Sequence, residues 1–151
     1  MKAIYLLTVV LLAGCAQAPA IYNPSFVEES KLATINQYKP EKNNYEHLAY
    51  VHEVYTTENI KVIKPIPINA SHKSIQLQAG NYRFVFRCGN GVTYSFPELT
   101  ATIEAGVAYT MYCEEVVKKD AFLSLDLISM LKINLVRSNE FSTESIKTIY
   151  Y

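Results

Sequence analysis

Hydrophobic and polar positions alternate along much of the chain, from about residue 47 to residue 117. The clearest stretch carries an aromatic residue or a cysteine at every second position: Tyr82, Phe84, Phe86 and Cys88. A second stretch alternates in the same way through Val107, Tyr109, Met111 and Cys113. Because successive side chains of a strand point to opposite faces of a sheet, this period of two is typical of half-buried antiparallel strands. The pattern therefore predicts an all-β domain, a small antiparallel sandwich, over residues 45–151.

Glycine and proline positions divide this domain into strands. Ala79-Gly80-Asn81 and Gly89-Asn90-Gly91 are predicted turns, since glycine and asparagine accept positive φ at little cost. The stretch "KVIKPIPIN" is predicted to be an edge strand, because Pro65 and Pro67 cannot donate hydrogen bonds to a ladder. Residues 120–151 fit either helix or strand; we favour strands, because "KINLV" is rich in β-formers and the preceding pattern is β.

The segment before this domain, residues 15–44, is predicted to be a tether. It contains three prolines, several asparagines and glutamines, and few large aliphatic residues. Polar and proline-containing chain gives a spacer reach without a packed core. One short helix beginning at Pro24 is an alternative for part of it, with Asn23 as the N-cap and Glu28 near the positive end of the helix dipole.

The first 14 residues have the composition of an export signal. Met1-Lys2 gives a positive start, and the following run to Ala13 is almost wholly apolar. This run is shorter than the roughly 20 residues that a transmembrane helix needs. A charged start, a short apolar middle and small residues at the end are typical of a secretory signal peptide, here residues 1–14.

The end of this signal, Leu12-Ala13-Gly14-Cys15, resembles the lipobox of bacterial lipoproteins. The resemblance implies cleavage between Gly14 and Cys15 and a diacylglycerol on the thiol of Cys15, usually with a further acyl chain such as palmitate on the new N-terminus. One acyl chain holds a protein only weakly at a bilayer, whereas two or more hold it stably. Ala16 follows the cysteine, which by the sorting rule of enteric bacteria implies the outer membrane, and we expect the periplasmic face.

The strands resemble a second family. A hydrophobic residue, a turn glycine and an aromatic strand recur in Leu77-x-x-Gly80-x-Tyr82 and again in Ile103-x-x-Gly106-x-x-Tyr109. This sequence pattern is similar to that of PEGA-type domains, which are small immunoglobulin- or transthyretin-like sandwiches of bacterial lipoproteins. The likeness covers about residues 47–117, and Ala79-Gly80 stands where that family has Pro-Gly. The family has no defined catalytic residues to carry over.

The chain has three cysteines, and Cys15 is assigned to lipid. Cys88 and Cys113 remain as a pair, and disulfides persist in exported proteins. We therefore predict a structural Cys88–Cys113 disulfide; two buried free thiols are the alternative. The strands that carry the two cysteines can run side by side or face each other. A redox role would normally use Cys-x-x-Cys spacing, which the sequence lacks.

Charge and motifs give no sign of an enzyme, a cofactor or a metal. Without the signal and its Lys2, 13 basic and 14 acidic side chains remain, so there is no electrostatic footprint for nucleic acid. His47 and His52 are five residues apart and would point to opposite faces of a strand, without a carboxylate cluster at metal-ligand spacing. Glu114 and Glu115 are neighbours on a strand and cannot flank one bond from the same face.

Tyrosine is abundant, with 12 residues and no tryptophan. We expect Tyr82, Tyr109 and Tyr112 in or near the core and Tyr45, Tyr50, Tyr55 and Tyr94 at the surface. The leading functional prediction is a lipid-anchored, non-enzymatic interaction or structural module of the cell envelope with a protein partner. One alternative is an inhibitor of a wall-active enzyme, because "YRFVFRCGNGVTYSF" resembles the opening strand of membrane-bound lysozyme inhibitors. Another is a glycan-binding protein, since tyrosine rings suit sugar stacking.

Overall fold

The structure, a computed structural model, describes residues 19–40, 47–66, 71–120, 125–142 and 149–150. Two β-sheets contain the strands of this part of the chain. The strands are β1 (Ala20–Tyr22), β2 (Ala33–Gln37), β3 (Leu48–Thr56), β4 (Lys61–Ile63), β5 (Ser74–Leu77), β6 (Gly80–Gly89), β7 (Tyr94–Ser95), β8 (Glu98–Ile103), β9 (Ala108–Asp120), β10 (Leu125–Arg137) and β11 (Ile149–Tyr150).

The first sheet has the order β1-β5-β2-β9-β10, and β11 also pairs with β9. The second sheet has the order β4-β3-β6, with β7 and β8 both pairing with the other side of β6. The predicted all-β sandwich is confirmed. Its first sheet is mixed, however, because β1 runs parallel to β5, and β2 and β11 run parallel to β9.

The core lies between the two sheets and consists of the residues that the alternation places on one face. The largest fully buried side chains include Phe84 and Phe86 of β6, Ile75 and Leu77 of β5, and Met111 of β9. The rings of Phe84 and Phe86 stack with centroids 5.4 Å apart. Burial of such side chains is worth roughly 1.5–3 kcal/mol each, so the inward faces of β5, β6 and β9 supply much of the stabilisation.

The predicted tether over 15–44 is wrong for residues 20–37. β2 lies between β5 and β9 in the first sheet, and its Ala33 and Ile35 have no exposed surface. Thr34 and Asn36 alternate with them and are not buried, so β2 is itself a short half-buried strand. Five residues give too short a period-two pattern to stand out, and the strands that pair with β2 on its two sides come from residues 74–77 and 108–111.

The alternative of a helix beginning at Pro24 is also wrong. Residues 23–27 form a turn instead, in which Asn23 Oδ1 accepts a hydrogen bond from the Val27 N–H at 3.0 Å. Asn23 Nδ2 donates to the Val27 carbonyl at 2.8 Å, so one side chain closes the turn from both directions. Helical structure in this segment is one 3₁₀ turn at Glu29–Lys31.

The other predictions on strands agree with the structure. β10 makes the first part of the C-terminal region a strand, and β11 adds a short one at its end. β4 lies at an edge of the second sheet, as the prolines following it predict. Gly14, Cys15, Tyr45 and Pro67 lie outside the described residues. Within the described part of the chain, no helix has the length and apolar character to cross a membrane.

Candidate functional site

The two cysteines join the sheets to each other. Cys88 of β6 and Cys113 of β9 form a disulfide with Cα atoms 5.9 Å apart. The two strands belong to different sheets, so of the two arrangements open from the sequence, they face each other across the sandwich. Both residues are buried, Cys88 completely. The link therefore ties the far end of β6, and the turn that follows it, to the opposite sheet.

A buried histidine makes a second link at the same end of β6. Nδ1 of His47, just before β3, lies 2.5 Å from Oε1 of Glu115 on β9. Nε2 of the same ring lies 3.2 Å from the hydroxyl oxygen of Thr93, in the turn after β6. The His47 side chain is only 3% exposed, whereas that of Glu115 is 29% exposed. The imidazole thus connects β9 to the turn over residues 90–93.

The order hydroxyl, imidazole, carboxylate in Thr93, His47 and Glu115 is that of a catalytic triad. A triad also needs backbone N–H groups free to stabilise an oxyanion. The N–H groups of Val92 and Thr93 instead donate to Asn90 Oδ1, at 3.1 and 3.0 Å. The Thr93 hydroxyl also lies 3.3 Å from this oxygen. These bonds make the three residues a structural clamp on the turn.

The clamped turn leads into three exposed apolar side chains beside the second sheet. Val92, Tyr94 and Phe96 occupy alternate positions and are 87%, 63% and 47% exposed. Isolated exposed apolar residues are ordinary, but a contiguous group with polar surroundings marks an interaction site. We call the residues that line the adjoining recess, His52, Arg87, Tyr94 and Phe96, the aromatic pocket.

The aromatic pocket has a volume of about 400 Å³. The rings of Tyr94 and Phe96 meet edge to face, with centroids 5.6 Å apart and an angle of 74°. The His52 ring packs against Phe96 at 4.8 Å, and the Arg87 guanidinium lies 5.3 Å from the centre of the Tyr94 ring. Aromatic rings and a cation thus line one recess. Its volume lies within the range of small-ligand sites.

A β-bulge places His52 in this pocket. The pairing of β3 with β6 shifts between Val51 and Glu53, so His52 is the extra residue of the longer strand. Bulges re-aim side chains and are frequent next to functional sites. Nδ1 of His52 lies 3.1 Å from the Ser71 hydroxyl, which fixes the orientation of the ring.

Burial lowers the pKa of His52 below its ordinary value of 6.5. Glu53 opposes this shift, while the charges of Arg87, Lys61 and His72 lower the pKa further. The neutral imidazole therefore predominates at pH 7 and offers both a donor and an acceptor.

The acid beside His52 in the sequence is held by a neighbouring cation. Lys61 Nζ lies 2.5 Å from Glu53 Oε1, and the Tyr55 hydroxyl donates to the other oxygen of the same carboxylate. Burial alone would raise the pKa of Glu53, but these two hydrogen bonds outweigh it and the pKa is lowered. Glu98, the acid on β8, pairs with Arg83 at 3.2 Å. Both carboxylates are thus engaged by cations, and Arg87 is the charged side chain that lines the pocket.

Other residues that the sequence analysis named lie apart from the pocket. Glu114 and Glu115 point to different partners, Asn134 and His47. Tyr82, Tyr109 and Tyr112 are buried and Tyr94 is exposed, as predicted, whereas Tyr50 and Tyr55 are partly buried. No group of three or more metal-ligating side chains occurs among the described residues. The sequence analysis missed Arg87 and Phe96 as site residues, although the alternation of Val92, Tyr94 and Phe96 after a turn was a usable signal.

Comparisons with protein-family models, with curated proteins and with solved structures found no match for this chain.

Proposed function

We propose that the chain is a lipid-anchored, non-enzymatic binding module of the bacterial cell envelope. Cys15 carries the lipid after cleavage behind Gly14, and the outer membrane, at its periplasmic face, holds the anchor. The lipobox-like end of the export signal supports this part of the proposal. Replacement of Cys15 by serine is expected to release the protein from the membrane fraction and to abolish palmitate incorporation. Equal fractionation of both forms, without palmitate in either, would contradict the anchor.

The aromatic pocket is the proposed docking surface for a protein partner of the envelope. The observation that carries this proposal is the exposure of Val92, Tyr94 and Phe96 beside Arg87, on a turn that a disulfide and a buried histidine hold in place. Aromatic residues and arginine dominate the energetic centres of protein interfaces. A rigid turn also lowers the entropy lost when such side chains are immobilised by a partner.

Photocrosslinking in cells tests this surface. Benzoylphenylalanine at position 96 is expected to give an adduct whose yield falls when Tyr94→Ala is added. The same probe at Ile60, which is 55% exposed and lies before β4, is the matched control and is expected to give no such adduct. Adducts of equal yield at both positions, unaffected by Tyr94→Ala, would remove the pocket from the proposal.

A wall-active enzyme such as lysozyme is one partner class to include. The stretch that resembles lysozyme inhibitors, residues 82–96, supplies Arg87, Tyr94 and Phe96 of the pocket. If lysozyme is the partner, the protein slows lysis of cell walls and Phe96→Ala loses this effect. Undiminished lysis would exclude lysozyme while leaving the crosslinking result to decide the wider proposal.

A second candidate function is glycan binding, which the geometry of the rings favours. The rings of Tyr94 and Phe96 lie at 74° to each other, and the imidazole of His52 packs beside them. Aromatic faces stack on the apolar faces of sugars, while donors and acceptors beside them bind hydroxyl groups. Titration with neutral and acidic oligosaccharides, read by the chemical shifts of the Phe96 and His52 rings, tests this candidate. Unchanged shifts at millimolar sugar would exclude it.

A further inference from the structure

The turn over residues 23–27 carries the most exposed large apolar side chain of the described residues. Phe26 is 91% exposed, and Ile21, at the centre of β1, is 57% exposed. Ile21 points away from the core, because its neighbours Ala20 and Tyr22 are the residues of β1 that pack against it. We call Ile21 and Phe26 the apolar pair.

The backbone holds Phe26 outward at a conformational cost. Its φ is 51°, in the left-handed region that bulky residues rarely adopt. The Phe26 N–H donates to the Asn23 carbonyl at 3.3 Å, and the Asn23 side chain closes the turn on Val27 from both directions. A strained residue of this kind persists only where the surrounding bonds over-determine it. The turn therefore fixes the backbone position from which the exposed phenyl ring projects.

The apolar pair lies close to the proposed anchor in the sequence. Five residue steps separate Cys15 from Ala20, where β1 begins, and a fully extended chain covers at most about 18 Å over that distance. β1 itself advances only about 7 Å from Ala20 to Tyr22. The stretch from Cys15 to Ala20 is thus long enough for the turn to reach the bilayer that holds the lipid. It is too short to carry the domain far from that bilayer.

We propose that the apolar pair is a membrane-contact surface, with Phe26 inserted at the boundary between headgroups and acyl chains. The inference rests on the proposed lipidation of Cys15. An exposed phenyl ring beside an anchor fits a lipid surface, since interfacial contacts bury apolar groups about 5–10 Å into this boundary. The charges that follow Phe26 most closely in the sequence are Glu28, Glu29 and Lys31, which sum to −1, and Glu28 pairs with Lys31 at 3.9 Å. The contact is therefore apolar and needs no anionic lipid.

The contact also gives the domain an orientation. β1 is an edge strand of the first sheet, whereas the aromatic pocket belongs to the second sheet. With the apolar pair in the lipid surface, the pocket on the other sheet remains open to the periplasmic space.

The absence of tryptophan from the chain allows a direct test. Phe26→Trp places a single fluorophore in the turn, and Val92→Trp, at a site 87% exposed beside the aromatic pocket, is the matched control. Each lipidated full-length variant is purified in detergent and reconstituted into phosphatidylcholine vesicles, with and without lipid brominated in the upper acyl chain. We expect tryptophan at position 26 to shift its emission to shorter wavelength in vesicles and to lose most of its intensity with brominated lipid. Tryptophan at position 92 is expected to do neither.

Flotation of the same vesicles separates the inference from the proposed function. If neither variant floats, the anchor proposal fails, and the membrane contact fails with it. If both float but position 26 is quenched no more than position 92, the anchor stands and the contact is wrong. A blue shift at position 26 that depends on protein concentration and occurs without vesicles would assign the apolar pair to a second copy of the chain, which also overturns the proposal.

Discussion

Removal of the Cys88–Cys113 disulfide is expected to cost the protein a large part of its stability. The two residues are 25 apart in the sequence. For a closed loop of that length the chain-entropy relation gives about 3.5 kcal/mol at 25 °C. The loop contains β7 and β8 and the turn of the aromatic pocket, all of which the link ties to β9. Because domains of this size are stable by only about 5–15 kcal/mol, the loss is between roughly a fifth and roughly two thirds of the total.

Equilibrium urea unfolding of the Cys88→Ala, Cys113→Ala double variant measures this loss. With a slope of about 1–3 kcal/mol per molar urea, the midpoint is expected to fall by roughly 1–3 M. The double variant also loses two buried sulfur atoms, so the wild-type protein reduced before unfolding is the volume control. The reduced protein isolates the loss from loop closure, and the double variant should lose at least as much free energy of unfolding. A loss below about 1 kcal/mol in the reduced protein would refute the loop-closure reasoning.

Three further predictions follow from the described contacts. Ile35→Ala is expected to lower the free energy of unfolding by about 2–5 kcal/mol, whereas no change in urea unfolding would mean that residues 20–37 are a tether after all. His47→Ala leaves Glu115 without its buried partner and is expected to lower the free energy of unfolding by about 1–3 kcal/mol in the same assay. Amide exchange in the turn over 90–93 should become faster, and unchanged exchange would contradict the clamp. Burial lowers the pKa of His52 below 6.5, so the unfolded chain binds the proton more readily and stability falls as pH drops through 6.5. His52→Gln should reduce this loss on the acid side of 6.5, and an identical pH profile would refute the reasoning.

The strands that the sequence predicted best are those that carry their own pattern. β6 and β9 have ten and 13 residues, and their inward positions are large and apolar over several periods. A long alternation can bury its apolar face in only one way, because a shift by one residue would turn the apolar side chains to solvent and the polar ones to the core. β1 and β2, of three and five residues, have no such redundancy, and the polar residues around them resemble a spacer.

The candidate site was less predictable because its members meet only after the chain has folded. Arg87 and Tyr94 are close in sequence, but His52 comes from another strand and enters the pocket through a bulge that the alternation of β3 does not reveal. The clamp is similar: His47 and Glu115 are 68 residues apart, and nothing in the local pattern of either residue marks the other as its partner.

The sequence by itself determined the β class and the inward faces of β6 and β9, because residue types and a short period suffice for these. The export signal and the lipobox-like cysteine stay predictions of the same local kind. Only the tertiary structure decided that β2 belongs to the core, that the disulfide crosses between the sheets, and that an aromatic pocket and an exposed turn lie on different sheets. These features depend on which distant strands pair. Strand pairing is set by the summed burial of both sheets, which no short window of sequence contains.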